Sequence, residues 1–124
     1  MAKSIAGQGQ HDLQIIKGST FLFNFTYKSG PDANTQTPVD LTGYTARMQI
    51  RKKTNSTDKI VDLTTENGGI VLGGVDGTVA VTIAASVTAA IVERSGVYDL
   101  ELVQGTYVRN ILGGAVEFIE EVTK

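Results

Sequence analysis

The chain has 124 residues, with 11 Lys and Arg against 13 Asp and Glu, so its formal net charge is −2. That length suits one hydrophobic core, and 41% hydrophobic with 19% charged residues is a globular rather than a disordered composition. The near-neutral balance argues against a nucleic-acid partner, and the lack of cysteine excludes disulfides, thiolate metal sites and a cysteine nucleophile.

The lack of cysteine also favours assembly in a reducing cytosol. Met1-Ala2-Lys3-Ser4-Ile5-Ala6-Gly7 contains no apolar run of signal-peptide length. No segment approaches the roughly 20 apolar residues that span a bilayer, so a soluble chain without an N-terminal export signal is expected. Residues 1–9, which include Gly7, Gln8 and Gly9, read as a flexible arm, and residues 10–124 as a single domain.

Phe21, Phe23, Phe25 and Tyr27 stand at every second position, which places four aromatic rings on one face of a strand. Residues 29–38 hold almost no apolar side chain and read as an exposed loop. Tyr44, Ala46, Met48 and Ile50 repeat the alternation with Arg47 and Arg51 turned outward, and Val79, Val81 and Ile83 repeat it again. Residues 59–63 and 69–72 read as shorter strands around a turn at 65–68, and Asp76-Gly77 marks a tight turn.

Residues 86–92 suggest one or two helical turns capped by Ser86, with Gly96 restarting the sheet. Three strands follow at 97–103, 107–112 and 115–122, the first two joined at Gln104-Gly105 and the last two separated by Gly113-Gly114. The expected fold is all-β, an antiparallel sandwich (immunoglobulin-like or a small barrel) of about eight or nine strands with one short helical turn. Such sheets have edges, and unpaired edges attract partners.

Chemistry-bearing residues are sparse. His11, the only histidine, lies beside Asp12 without the spacing of a Ser-His-Asp triad, and reads as a surface or strand-edge residue. Glu117 and Glu121 share a face by alternation while Glu120 points away, a solvated or partner-facing strand rather than a metal site. Asp99 and Glu101 lie on an outer face, where a glycosidase-like carboxylate pair has no further support.

Gly68-Gly69 and Gly73-Gly74 are followed by strands, so they are turns and not phosphate loops. Arg47, Arg51, Lys52 and Lys53 form one basic cluster, read as a solvated face or as ion-paired to acidic neighbours. Tyr107 is the best exposed aromatic anchor. No catalytic residue, cofactor-binding residue or metal ligand is assigned, no cofactor is expected, and the parts on offer are those of a docking protein.

Three segments carry a family likeness: Val39-Asp40-Leu41-Thr42-Gly43-Tyr44 with the strand after it, Gly96-Val97-Tyr98-Asp99-Leu100-Glu101-Leu102, and the ending from Val108-Arg109-Asn110 to Lys124. In that order they resemble small β-sandwich virion proteins of tailed bacteriophages, of tail or baseplate type. The opening is similar to the N-terminal domain of baseplate upper proteins, where a Gly-Asp-Thr/Ser turn and an aromatic strand precede a Val-Asp-Leu-Thr-Gly turn. Lys17-Gly18-Ser19-Thr20 followed by Phe21-Leu22-Phe23-Asn24-Phe25 fills that slot.

The resemblance covers roughly residues 10–124 and carries no catalytic residues. It implies a non-enzymatic virion structural protein, assembled in the host cytoplasm in several copies as an adaptor or attachment domain of the tail or baseplate. The implied partners are other phage structural proteins and copies of the chain itself, with neither nucleic acid nor membrane. Baseplate upper proteins continue into a coiled coil or receptor-binding part, whereas this sequence stops at Lys124. A capsid decoration or head-fibre base protein is therefore an alternative, as is a carbohydrate- or host-receptor-binding sandwich, although the chain has no Trp to stack on a sugar.

Overall fold

The computed structural model describes residues 9–30 and 34–123. Residues 1–8, most of the expected arm, lie outside the described residues, as do 31–33 of the expected loop. Gly9, assigned to the arm by sequence, is instead buried in a strand.

Two sheets face each other across the core. The larger holds β1 (Gly9–Gln10), β2 (Leu13–Ile16), β6 (Thr45–Arg51), β7 (Lys59–Thr64), β10 (Ser95–Gln104) and β11 (Tyr107–Ile119). Its order is β1-β11-β10-β6-β7, with β2 following β1 along the same edge of β11. The smaller runs β3 (Phe21–Thr26), β9 (Thr78–Ile83), β8 (Ile70–Leu72), and a two-stranded ribbon pairs β4 (Lys28–Ser29) with β5 (Thr37–Pro38).

In the immunoglobulin arrangement one sheet holds strands A, B, E and D and the other G, F, C and C′. Here β3, β9 and β8 take the B, E and D places, and β11, β10, β6 and β7 take the G, F, C and C′ places. The fold is thus an all-β sandwich, as the alternation of apolar residues implies. Among the described residues there are eleven strands, three of them (β1, β4, β5) only two residues long. The eight longer ones match the expected number.

The period-two pattern explains the core. Ala46, Met48 and Ile50 on β6, Tyr98, Leu100 and Leu102 on β10, and Val79, Val81 and Ile83 on β9 are all buried. Phe21, Phe23 and Phe25 are half-buried and pack against that core. Their rings form a ladder with centroids 6.5 and 5.4 Å apart.

Several expectations are corrected. Gly113-Gly114 do not separate two strands, because β11 runs through them. The apolar pattern changes phase there because of a bulge: Leu100 faces Leu112 while Glu101 faces Asn110, which leaves Ile111 as the extra residue. Pairing is not wholly antiparallel, since β1 and β2 run parallel to β11. The helix is Ala85–Ala89, preceded by Ala84 as a cap without a side-chain hydrogen bond, so Ser86 is not the cap. Both ends of the expected loop at 29–38 are paired, Ser29 with Thr37 and Lys28 with Pro38. The Asp76-Gly77 turn is present as a 3-10 turn, Gly74–Asp76, closed by Gly77 in the left-handed region at φ 70°.

Candidate assembly surfaces

The outward face of the larger sheet is charged and shallowly concave. Across the strands, Asn110, Glu101, Arg47 and Thr64 form one row, and Gly113, Asp99, Gln49 and Asp62 form the next. Gly113, Gly114 and Ala115 contribute little bulk, so a depression of about 880 Å³ opens over them between Asp12, Arg47 and Arg51.

The polar groups of this face satisfy one another. Arg47 Nε donates to Glu101 Oε1 at 2.6 Å, and Asn110 Nδ2 donates to Asp99 Oδ2 at 2.9 Å. Arg51 donates to the Ser56 and Thr57 carbonyls at 2.7 and 3.0 Å and to Gln49 Oε1 at 2.8 Å. Lys59 Nζ pairs with Asp62 at 3.1 Å. Asp99, Glu101, Arg47 and Arg51, picked out by sequence, therefore share one surface; Asp99, Glu101 and Arg47 are tied to adjoining strands, and Arg51 to Gln49 of its own strand and to the loop before β7. Lys52 and Lys53 follow β6 and are exposed.

Alternation holds for Glu117, exposed between buried Val116 and Phe118, but not for Glu120 and Glu121, because β11 ends at Ile119. Glu117 accepts from Gln14 Nε2 at 3.3 Å, Glu120 pairs with Lys17 Nζ at 3.0 Å, and Glu121 accepts from Ser19 Oγ at 3.1 Å. All three reach β2 or the turn after it. Among the described residues no group of three or more His, Cys, Asp or Glu is placed to hold a metal.

His11 lies where the chain passes from β1 to β2. Its ring stacks on Phe23 with centroids 5.1 Å apart, its N–H donates to the Gly113 carbonyl at 2.9 Å, and its carbonyl accepts from the Tyr98 hydroxyl. Beside it, Asp12 Oδ1 accepts from the Ala115 N–H at 3.0 Å. Burial pushes the Tyr98 phenol well above its ordinary range, and the nearby Asp12 carboxylate adds to that. This junction clips the two sheets together, a role the sequence does not announce. The nearest signal is the adjacency of His11 and Asp12 to an otherwise apolar alternation.

The turn before β6 is built by its motif. Asp40 Oδ1 accepts from the Thr42 N–H at 2.9 Å, Gly43 takes φ 85°, and Leu41 is buried. Hydrogen bonds from Thr42, first from its side chain and then from its backbone, hold the Asp40 carboxyl below its usual value.

The smaller sheet presents a different surface. Leu22, Asn24 and Thr26 on β3 and Val71 on β8 point outward and are exposed, and the sequence places no charged residue among them. Tyr107, expected as an exposed aromatic, is 49% accessible at the start of β11. Its hydroxyl is the main cause, with Tyr27 contributing, of the raised pKa of the Arg109 guanidinium.

No protein-family model matches the chain, and no curated protein matches it. Solved structures do, and 142 chains match, which makes the architecture too widely shared to carry a function. One comes from photo-crosslinking analyses of multimeric cell-adhesive interactions of VGSC beta subunits. Its TM-score is 0.51 at 11% identity, over 97% of this chain and 100% of that one. At that identity the likeness shows the sandwich fold alone.

Proposed function

We propose that this protein is a non-enzymatic structural protein of a tailed-bacteriophage virion, present in several copies in the tail or baseplate as an adaptor or attachment domain. The observation that carries this reading is the ordered set of framework segments: an aromatic strand after Lys17-Gly18-Ser19-Thr20, the Asp40-Leu41-Thr42-Gly43 turn, and the paired strands around Tyr98 and Gly114. The geometry supports it, because those residues build the framework: Leu41 is 1% exposed, and Tyr98 anchors the β1–β2 junction.

The surfaces also suit docking. On the larger sheet Arg47 pairs with Glu101 and Lys59 with Asp62, while the outward residues Leu22, Asn24, Thr26 and Val71 of the smaller sheet carry no charge. No helix among the described residues is long and apolar enough to cross a membrane. The proposed partners are other virion proteins and copies of the chain itself.

Mass spectrometry of purified virions, with heads and tails separated, tests the proposal. Stoichiometric presence in tails is the expected result. Presence only in heads moves the protein to capsid decoration or a head-fibre base. Absence from virions overturns the structural role and directs attention to ligand binding.

A further inference from the structure

Among the described residues, the topology leaves one edge of the smaller sheet without a partner strand. In the four-stranded immunoglobulin sheet a strand A lies beside strand B. Here β1 and β2 pair with β11 instead, and among the described residues β3, in the B place, pairs with β9 alone.

The ladder shows which backbone groups face the open side. The Thr82 N–H donates to the Gly69 carbonyl and the Thr78 carbonyl accepts from the Gly73 N–H, so Thr78, Ala80 and Thr82 direct their backbone groups away from β3. Val79, Val81 and Ile83 then bond to Phe25, Phe23 and Phe21. The N–H and C=O groups of Leu22, Asn24 and Thr26 therefore point out of the sheet edge.

Proteins ordinarily blunt such an edge with a charge, a proline, a bulge or a very short strand. The edge strand β7 has Lys59 and Asp62 exposed, and the edge strand β8 has three residues. β3 has six residues, Phe-Leu-Phe-Asn-Phe-Thr, with neither charge nor proline and pairing to β9 without a register shift. Leu22 is 67% exposed on its outer face, and Val71, two strands away on the same face, is 62% exposed.

We propose that β3 is a self-association edge, at which a second copy of this chain pairs antiparallel about a two-fold axis through Asn24. The open groups select this register. Asn24 faces its own counterpart and Leu22 faces Thr26 of the other copy, so all the outward N–H and C=O groups of β3 find partners.

Charge favours a second copy as the occupant. Leu22, Asn24 and Thr26, and with them Thr78, Ala80 and Thr82 on β9, carry no charge, so the two-fold brings no like charges together. On the inner side Phe23 comes opposite Phe25 of the other copy, which continues the existing ring ladder. The two smaller sheets join into one continuous sheet.

This deepens the proposed virion role and rests on it only for the expectation of several copies. A chain absent from virions that still dimerises through Asn24 overturns the role and not the edge. A tail component whose purified chain stays monomeric overturns the edge and not the role.

Sedimentation equilibrium of the full chain, up to about 1 mM, tests the pairing. The parent is expected to dimerise with rising concentration. Asn24→Lys and Asn24→Asp each oppose like charges at the axis and are expected to weaken the dimer about tenfold or more, with circular dichroism confirming the fold. An equal mixture of the two variants is expected to restore dimerisation as a heterodimer, which a merely damaged fold does not allow. A parent monomeric throughout, or variants that dimerise as the parent does, overturns the proposal. So does a monomer in which the Leu22, Asn24 and Thr26 amides resist hydrogen exchange, because another segment of the same chain then covers the edge.

Discussion

Replacing Gly114 by alanine tests whether this glycine serves close packing rather than a turn. An added Cβ would lie 2.6 Å from the His11 carbonyl oxygen, 2.8 Å from Asp12 Oδ1 and 3.0 Å from the His11 carbonyl carbon. Ordinary carbon–oxygen contacts begin near 3.3 Å, so the β1–β2 junction must retreat by roughly 0.5–0.7 Å. The nearest atom is backbone, which cannot swing aside as a flexible side chain does. Overpacking of this kind costs about 1–3 kcal/mol.

The same movement draws the His11 carbonyl away from the Tyr98 hydroxyl and Asp12 away from the Ala115 N–H, and each hydrogen bond contributes about 0.5–1.5 kcal/mol. Against this, alanine is favoured over glycine inside a strand by about 0.5–1 kcal/mol. The net expectation is a loss of about 1–3 kcal/mol, seen in urea unfolding as a lower midpoint with an unchanged slope. Thermal unfolding should drop by about 4 °C per kcal/mol for a domain of this size. A double-mutant cycle with Tyr98→Phe should be sub-additive, because both changes act on the His11 carbonyl. A Gly114→Ala chain as stable as the parent, or more so, refutes the packing role of this glycine.

Two further outcomes are expected. Because folding raises the Tyr98 pKa, the unfolded chain releases that proton near pH 10 while the folded chain retains it. This contribution is full below that pH and falls above it, by up to about 1.4 kcal/mol per pH unit. Melting temperatures across the alkaline range should show the fall in the parent and a shallower one in Tyr98→Phe, and identical profiles refute the assignment. Thr88 is fully buried, where its hydroxyl donates to the Ser19 carbonyl at 2.8 Å and accepts from the Gly18 N–H at 3.0 Å. Thr88→Val should cost about 1–3 kcal/mol by stranding those backbone groups while Thr88→Ser costs less, and calorimetry showing the two variants equal refutes the hydrogen-bonding role.

The candidate surfaces were legible in uneven degree. Arg47 and Glu101 could each be placed on an outer face by counting in twos, but their pairing depends on the register of β6 against β10, which local spacing does not contain. Alternation does not place Glu120 and Glu121, because the strand stops at Ile119 and the sequence beyond it carries no mark of that end. Thr88 drew no attention, since a lone threonine after Ser86 and Val87 has no pattern that distinguishes a buried hydroxyl from a solvated one.

What the sequence determined by itself is most of the longer strands and the faces they bury, though not β1, β2, β4 or β5, nor the continuity of β11. Phe21, Phe23 and Phe25, then Ala46, Met48 and Ile50, then Val79, Val81 and Ile83 state their orientation through a period of two that any half-buried strand must obey. The tertiary structure alone decided which strands became neighbours and, among the described residues, which edge of the smaller sheet lacks a partner strand. Gly113-Gly114 reads locally as a break, yet β11 continues through it, paired with β10 on one side and β1 on the other, and the chain at His11 and Asp12 takes the space that a side chain at 114 would fill. The open side of β3 likewise depends on β1 and β2 having joined β11, a choice between sheets that distant hydrogen bonds make and local sequence does not record.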